Sequence, residues 1–162
     1  MNLLEYAIQM EKDGEAFYRN LAQDCAEDEG MRYIFTMLAD DEAKHREIFE
    51  TMLHNNAAKM TDSRIIGVSV NLFRQMQNDG SPFHCSLQQK ELYEQAYDLE
   101  RKSYEFYMEK LSEAASEDER EIIARIAKEE KRHAVVLENI IEMVTRPDHW
   151  VENAEFNHME QY

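Results

Sequence analysis

A glutamate followed three residues later by a histidine occurs twice on otherwise apolar stripes: Glu42 and His45 in LADDEAKH (38–45), Glu130 and His133 in IAKEEKRH (126–133). At helical spacing the first pair interrupts Met31, Phe35, Leu38, Phe49 and Met52; the second interrupts Ile123, Ile126, Leu137, Ile140 and Val144. Two more stripes hold carboxylates: Leu4, Ile8, Glu11, Glu15, Tyr18, Ala22, and Tyr93, Tyr97, Glu100, Tyr104, Tyr107, Leu111. Burying an unpaired carboxylate is costly, and four together would also repel one another. Two divalent cations would neutralise Glu11, Glu42, Glu100 and Glu130 and leave one imidazole for each metal. Such oxygen-rich ligation suits iron or manganese above zinc. The plainer alternative for the same residues is a seam of interhelical salt bridges.

The elements that must position these residues are long helices. The first is expected from Asn2 to Cys25 and the second from Gly30 to Asn55. The third is expected from Ser86, where SLQQ offers a capping box, to Ala114, and the fourth from Ser116, where SEDE offers another, to a stop before Pro147. Short loops, AEDEG and AASED, join each pair into an antiparallel hairpin. The spacing therefore predicts an all-α four-helix bundle of the crossover type in one domain over 1–162, with hairpins 2–55 and 86–146. A long crossover (56–85) joins them and carries a further helix within DSRIIGVSVNLFRQMQNDG; a tail (147–162) with Trp150 and Phe156 forms a short C-terminal helix.

The halves repeat. MEKDGEAFY (10–18) matches LERKSYEFY (99–107), and LADDEAKH matches IAKEEKRH, so one hairpin is duplicated. Counted from the hairpin turns, Glu11, Glu42/His45, Glu100 and Glu130/His133 all lie about sixteen residues away. At ~1.5 Å per residue the mismatches stay under about 1 Å, which brings all six to one level of the bundle.

Composition agrees. The chain has 162 residues, 43% hydrophobic, with only 4 glycines and 2 prolines, too few for a turn-rich sheet protein. Its net charge of −16 disfavours nucleic acid and anionic membrane surfaces as partners. Cys25 and Cys85 form no C-x-x-C pair, which excludes a thiolate-ligated metal module on this chain; they read as reduced thiols, suiting a cytoplasmic protein. No apolar run reaches the ~20 residues that span a bilayer, and MNLLEYAIQM lacks a basic region and a cleavage site.

One Glu from each of two helices plus Glu-x-x-His from each of the other two is the ligand pattern of di-iron carboxylate bundles. With MEKDGEAFY, DEAKH, LERKSYEFY and EEKRH in register, the chain resembles the rubrerythrin-like branch of the ferritin-like superfamily over both hairpins. The resemblance implies that Glu11, Glu42, His45, Glu100, Glu130 and His133 are both metal ligands and catalytic residues, holding two iron ions with manganese or zinc as substitutes. It implies reduction of hydrogen peroxide or dioxygen by the reduced di-iron centre, and a homodimer. Two departures stand out. The four-cysteine rubredoxin-like module is absent from this chain, so electrons are expected from a separate donor protein. The extra glutamate of peroxidase members, one turn from the third-helix ligand, is Ser103 here.

Rival readings are ferritin-like ferrous iron oxidation, storage or delivery, and a degenerate bundle acting through protein contacts. Glu15 is expected at the surface or near the ligands, with a seventh carboxylate ligand as the sharper alternative. Tyr18 and Tyr107 are expected either to hydrogen-bond to carboxylates across the bundle or to pack in the core. Asp41 and Glu129 are expected to face solvent or a neighbouring helix. His54, His84, His149 and His158 read as surface residues, and the 10 methionines as core filler.

Overall fold

The computed structural model describes residues 2–55, 58, 60–79, 85 and 89–146. Helix α1 (Leu3–Asp24) starts at a capping box: Asn2 accepts from the Glu5 amide at 2.9 Å, and the Glu5 carboxylate accepts from the Asn2 amide at 3.0 Å. Helix α2 (Glu29–Leu53) is capped by Asp28, which accepts from the Met31 amide at 3.1 Å. The crossover carries α3 (Ile65–Asp79).

Helix α4 (Lys90–Glu109) ends in a 3₁₀ turn, Lys110–Glu113. The expected start at Ser86 lies outside the described residues; Gln89 precedes Lys90 without a side-chain cap. Helix α5 (Glu117–Thr145) is capped by Ser116, which accepts from the Glu119 amide at 3.1 Å, and it stops two positions before Pro147. The expected tail helix, with Trp150 and Phe156, lies outside the described residues, as do His84, His149 and His158.

The architecture is all-helical, as a ferritin-like bundle requires. Helices α1 and α2 pack along their length as one hairpin, and α4 and α5 as the other. The hairpins meet more sparsely, along an α1/α4 seam and an α2/α5 seam. Helix α3 packs on α2 and α5, so among the described residues the crossover helix covers that seam and not the α1/α4 seam.

Two apolar clusters fill the interior. One gathers Leu21, Phe35, Leu38, Phe73, Tyr93 and Leu137 among others; the second gathers Ala7, Ile8, Phe49, Tyr107, Ile123 and Ile126. Between them lies a layer of buried polar side chains, at the level where the four stripes change character.

The cysteines correct an expectation. Cys25, at the end of α1, and Cys85, in the segment before α4, form a disulfide with Cα atoms 5.2 Å apart. Both are buried in the first apolar cluster. Sixty residues of separation carry no information about distance; the hairpin packing that brings them together becomes visible only in the fold. The support that reduced thiols would lend to a reducing compartment is thereby lost. No helix among the described residues is long and apolar enough to cross a membrane.

Candidate metal centre

All six polar residues that interrupt the stripes are buried in this layer: Glu11, Glu42, His45, Glu100, Glu130 and His133. They form two overlapping groups. One comprises Glu11, Glu42, His45 and Glu130; the other Glu42, Glu100, Glu130 and His133, with one ligand-type atom per residue inside a 4.8 Å span in each. Glu42 and Glu130 belong to both groups, whereas Glu11 and Glu100 each serve one. The two imidazoles stack across the cage with centroids 6.0 Å apart.

Each histidine turns Nδ1 toward the cage. His45 Nδ1 lies 2.9 Å from Glu130 and 3.5 Å from Glu11; His133 Nδ1 lies 3.0 Å from Glu42 and 3.2 Å from Glu100. Each Nε2 faces outward onto a carboxylate of the opposite hairpin, His45 onto Glu129 at 2.8 Å and His133 onto Asp41 at 2.9 Å. A proton held on Nε2 leaves the Nδ1 lone pair free for a cation. Asp41 and Glu129 therefore do not face solvent: they are buried, at 4% and 3% exposure. The sequence did contain the signal, since an acidic residue precedes the stripe glutamate in both repeats.

Ser63, in the crossover just before α3, ties these two carboxylates together. Its hydroxyl donates to Asp41 and its backbone N–H donates to Glu129 at 2.7 Å, while the hydroxyl oxygen accepts from the Ile65 amide at 3.1 Å. Nothing in the stripes pointed to it.

The other seam is laced by tyrosines. Tyr18 of α1 donates to Glu100 of α4, and Tyr107 of α4 donates to Glu11 of α1. Both phenols take the carboxylate-bonding alternative. Glu15 is outside the cage: its half-buried carboxylate pairs with Arg19 at 3.2 Å and Arg46 at 3.5 Å. The arginines, placed one helical turn away and on α2, compete successfully for it. Tyr104 lies under the Lys131 ammonium at 5.6 Å, away from the cage, and His54 is an exposed residue at the end of α2.

Gly14 sits close to Glu42. A Cβ there would lie 2.7 Å from Glu42 Oε2, inside contact distance.

Burial and mutual repulsion set the electrostatics of the cage. Burial, with Glu100 and Glu11 adding to it, pushes Glu130 well above the usual carboxylate range; burial with Glu11 and Glu100 does the same to Glu42. Burial would lower His45, but Glu11 and Glu129 reverse this and hold it well above the ordinary imidazole value. Burial opposes the charge on His133 in the same way, and Glu100, Asp41 and Glu42 reverse it. Glu100 and Asp41 are lowered despite their burial, Glu100 chiefly by His133 and Glu130, Asp41 by His133 and Ser63. Burial and the facing carboxylates raise Tyr18 and Tyr107, which remain protonated donors.

Do these residues fit metal ions? Among the described residues, the buried side-chain polar atoms without a hydrogen-bond partner include Glu11 Oε2, Glu42 Oε1, His45 Nδ1, Glu100 Oε2 and Glu130 Oε1. All five belong to the two groups. Four of the five meet an imidazole or a carboxylate only as ion-pair contacts at 2.9–3.5 Å. Buried polar atoms without a proper hydrogen bond are rare and costly, and here they converge as hard oxygen and imidazole donors. Two divalent cations would satisfy them together.

A bundle of this shape, with four glutamates and two histidines in its central layer, defines the class of di-metal carboxylate proteins. The rubrerythrin family model matches residues 2–141, and the chain belongs to that ferritin-like di-iron carboxylate family. No curated protein and no solved structure matches it.

Proposed function

We propose that this protein is a di-iron oxidoreductase that reduces hydrogen peroxide or dioxygen with electrons from a separate donor protein. The observation that carries this reading is the convergence of buried carboxylate and imidazole atoms, five of them without a hydrogen bond, in two overlapping groups that share Glu42 and Glu130. In it, Glu11, Glu42, His45 and Glu130 hold one iron, and Glu42, Glu100, Glu130 and His133 the other. Bound iron supplies electrons and Lewis acidity.

The chain's own residues do the rest. Asp41 and Glu129 accept the Nε2 protons of His133 and His45, which fixes each imidazole as an Nδ1 donor. Tyr107 and Tyr18 orient the carboxylates of Glu11 and Glu100 and keep a proton on each phenolic oxygen beside the cage. The apolar clusters on either side leave the six residues almost without solvent exposure, so these charges act in a poorly screened interior. Only two cysteines occur on this chain, and they are bonded to each other, which supports an external source of electrons.

The test is anaerobic ferrous titration followed by separate additions of peroxide and air, with ferric absorption and oxidant consumption recorded. Two ferrous ions per chain and oxidant consumption absent from the metal-free protein are expected. Oxidant consumption that the metal-free chain matches would overturn the reading.

A further inference from the structure

A cavity of about 380 Å³ opens in the α1/α4 seam and runs inward to Glu42, Glu100 and Glu130. At the ~30 Å³ that a water-sized unit occupies, it has room for about a dozen non-hydrogen atoms. Peroxide or dioxygen alone would leave most of it unfilled.

Its walls are mainly apolar, formed by Met10 and Phe17 of α1 and by Ala96, Leu99 and Phe106 of α4. Tyr6 and Leu99 are about half exposed, and both line it. Two small residues face into it, Gly14 and Ser103, which occupy equivalent positions in the duplicated MEKDGEAFY and LERKSYEFY segments. A large side chain at either position would fill the space. A Cβ at Gly14 would also force the Glu42 carboxylate to shift. At the equivalent point in the other repeat, Ser103 leaves the volume open.

We infer that this cavity is a binding site for an uncharged organic molecule with an apolar body, seated against the carboxylates of the cage. Pockets of about 300–1,000 Å³ with mostly apolar walls and a few polar groups at one end are the usual form of a small-molecule site. The concavity and its depth, reaching buried carboxylates between two helices, suit a small molecule over a flat partner surface. The inference deepens the proposed function, because the bound molecule lies beside the metal ligands. It rests on that reading for any chemistry and not for binding.

The test uses 1-octanol as the probe and the full chain, both metal-free and loaded with diamagnetic zinc, followed by methyl NMR. Saturable shifts confined to Met10, Ala96 and Leu99 are expected. Ser103→Phe should weaken binding at least tenfold, Leu99→Lys several-fold, and Ser103→Ala should leave it unchanged. Absence of saturable shifts, or a Ser103→Phe variant that binds as well as the parent, overturns the inference. So does a response at these methyls that follows protein concentration instead of octanol, which would show a second copy covering the seam. Zinc content is measured on every sample: a chain that binds no metal yet binds octanol defeats the proposed function and leaves the cavity assignment standing.

Discussion

The two seams between the hairpins have the same construction principle and opposite outcomes. Across α2/α5, each histidine reaches a carboxylate of the opposite hairpin, and Ser63 of the crossover grips both carboxylates. Across α1/α4, each tyrosine reaches a glutamate of the opposite hairpin, but among the described residues no crossover helix lies on top and a cavity remains. One side fixes the orientation of the imidazoles; on the other a cavity reaches the carboxylates. Reciprocal side-chain pairing holds a seam in register, while access is decided by what the connecting chain covers.

The comparison can be broken most severely at the residues common to both groups. Glu130→Gln should reduce iron from two per chain to less than one, because both groups lose a ligand, whereas His45→Ala should leave about one; elemental analysis after anaerobic loading distinguishes these. Equal losses would mean that Glu130 is not shared.

On the covered side, Asp41→Ala should lower metal affinity by roughly 10–100-fold, since His133 loses the acceptor that fixes its tautomer. Competition against a chelator measures this. On the uncovered side, Tyr107→Phe leaves a buried Glu11 oxygen without its donor and should cost the metal-free protein about 1–3 kcal/mol in denaturant unfolding.

The pH dependence follows from the direction of each shift. Glu42, Glu130, His45 and His133 are all raised in the folded chain, so their contribution to stability is complete below their unfolded values and lost as pH rises through the folded ones. Asp41 and Glu100 are lowered and contribute in the opposite sense, but only below the normal carboxylate range. The melting temperature of the metal-free protein should therefore fall as pH rises above the ordinary carboxylate value and on through the ordinary imidazole value. Metal affinity should rise over the same interval, since binding displaces protons.

The smallest effect sharpens the comparison most. Ser63→Ala removes the hydroxyl that donates to Asp41 but keeps the backbone N–H that donates to Glu129. A loss of ~1 kcal/mol, about 2–4 °C in melting temperature, is expected. Metal affinity should weaken more in the group holding His133 than in the group holding His45.

Much of this was legible before any coordinates. Four stripes with polar interruptions at equal depth are enough to place Glu11, Glu42, His45, Glu100, Glu130 and His133 in one layer, because helix rise is nearly constant. The cap residues Asn2 and Ser116 were legible for a similar reason, since their side chains bond to amides three residues away. What periodicity does not carry is contact between distant segments. Asp41 and Glu129 sit one position off the stripe, and which way they point depends on the rotation of each helix against the other hairpin. Ser63 acts from an irregular segment, and the Cys25–Cys85 bond depends on where the crossover returns. The Gly14 and Ser103 pair was visible as an equivalence between repeats, yet the space between them is a property of the seam.

The duplication has one further consequence. Each ligand group draws on both hairpins, so a lone hairpin is an incomplete vessel, and two identical ones set back to back would complete it by mutual embrace. Such a pair would be bound by its own two-fold axis: whatever changed on one face would change on the other. Covalent fusion lifts that obligation. A single linker can roof only one side, and Gly14 no longer has to be matched by another glycine. The asymmetry between a shut back and an open front is a freedom available only to a chain that carries both halves.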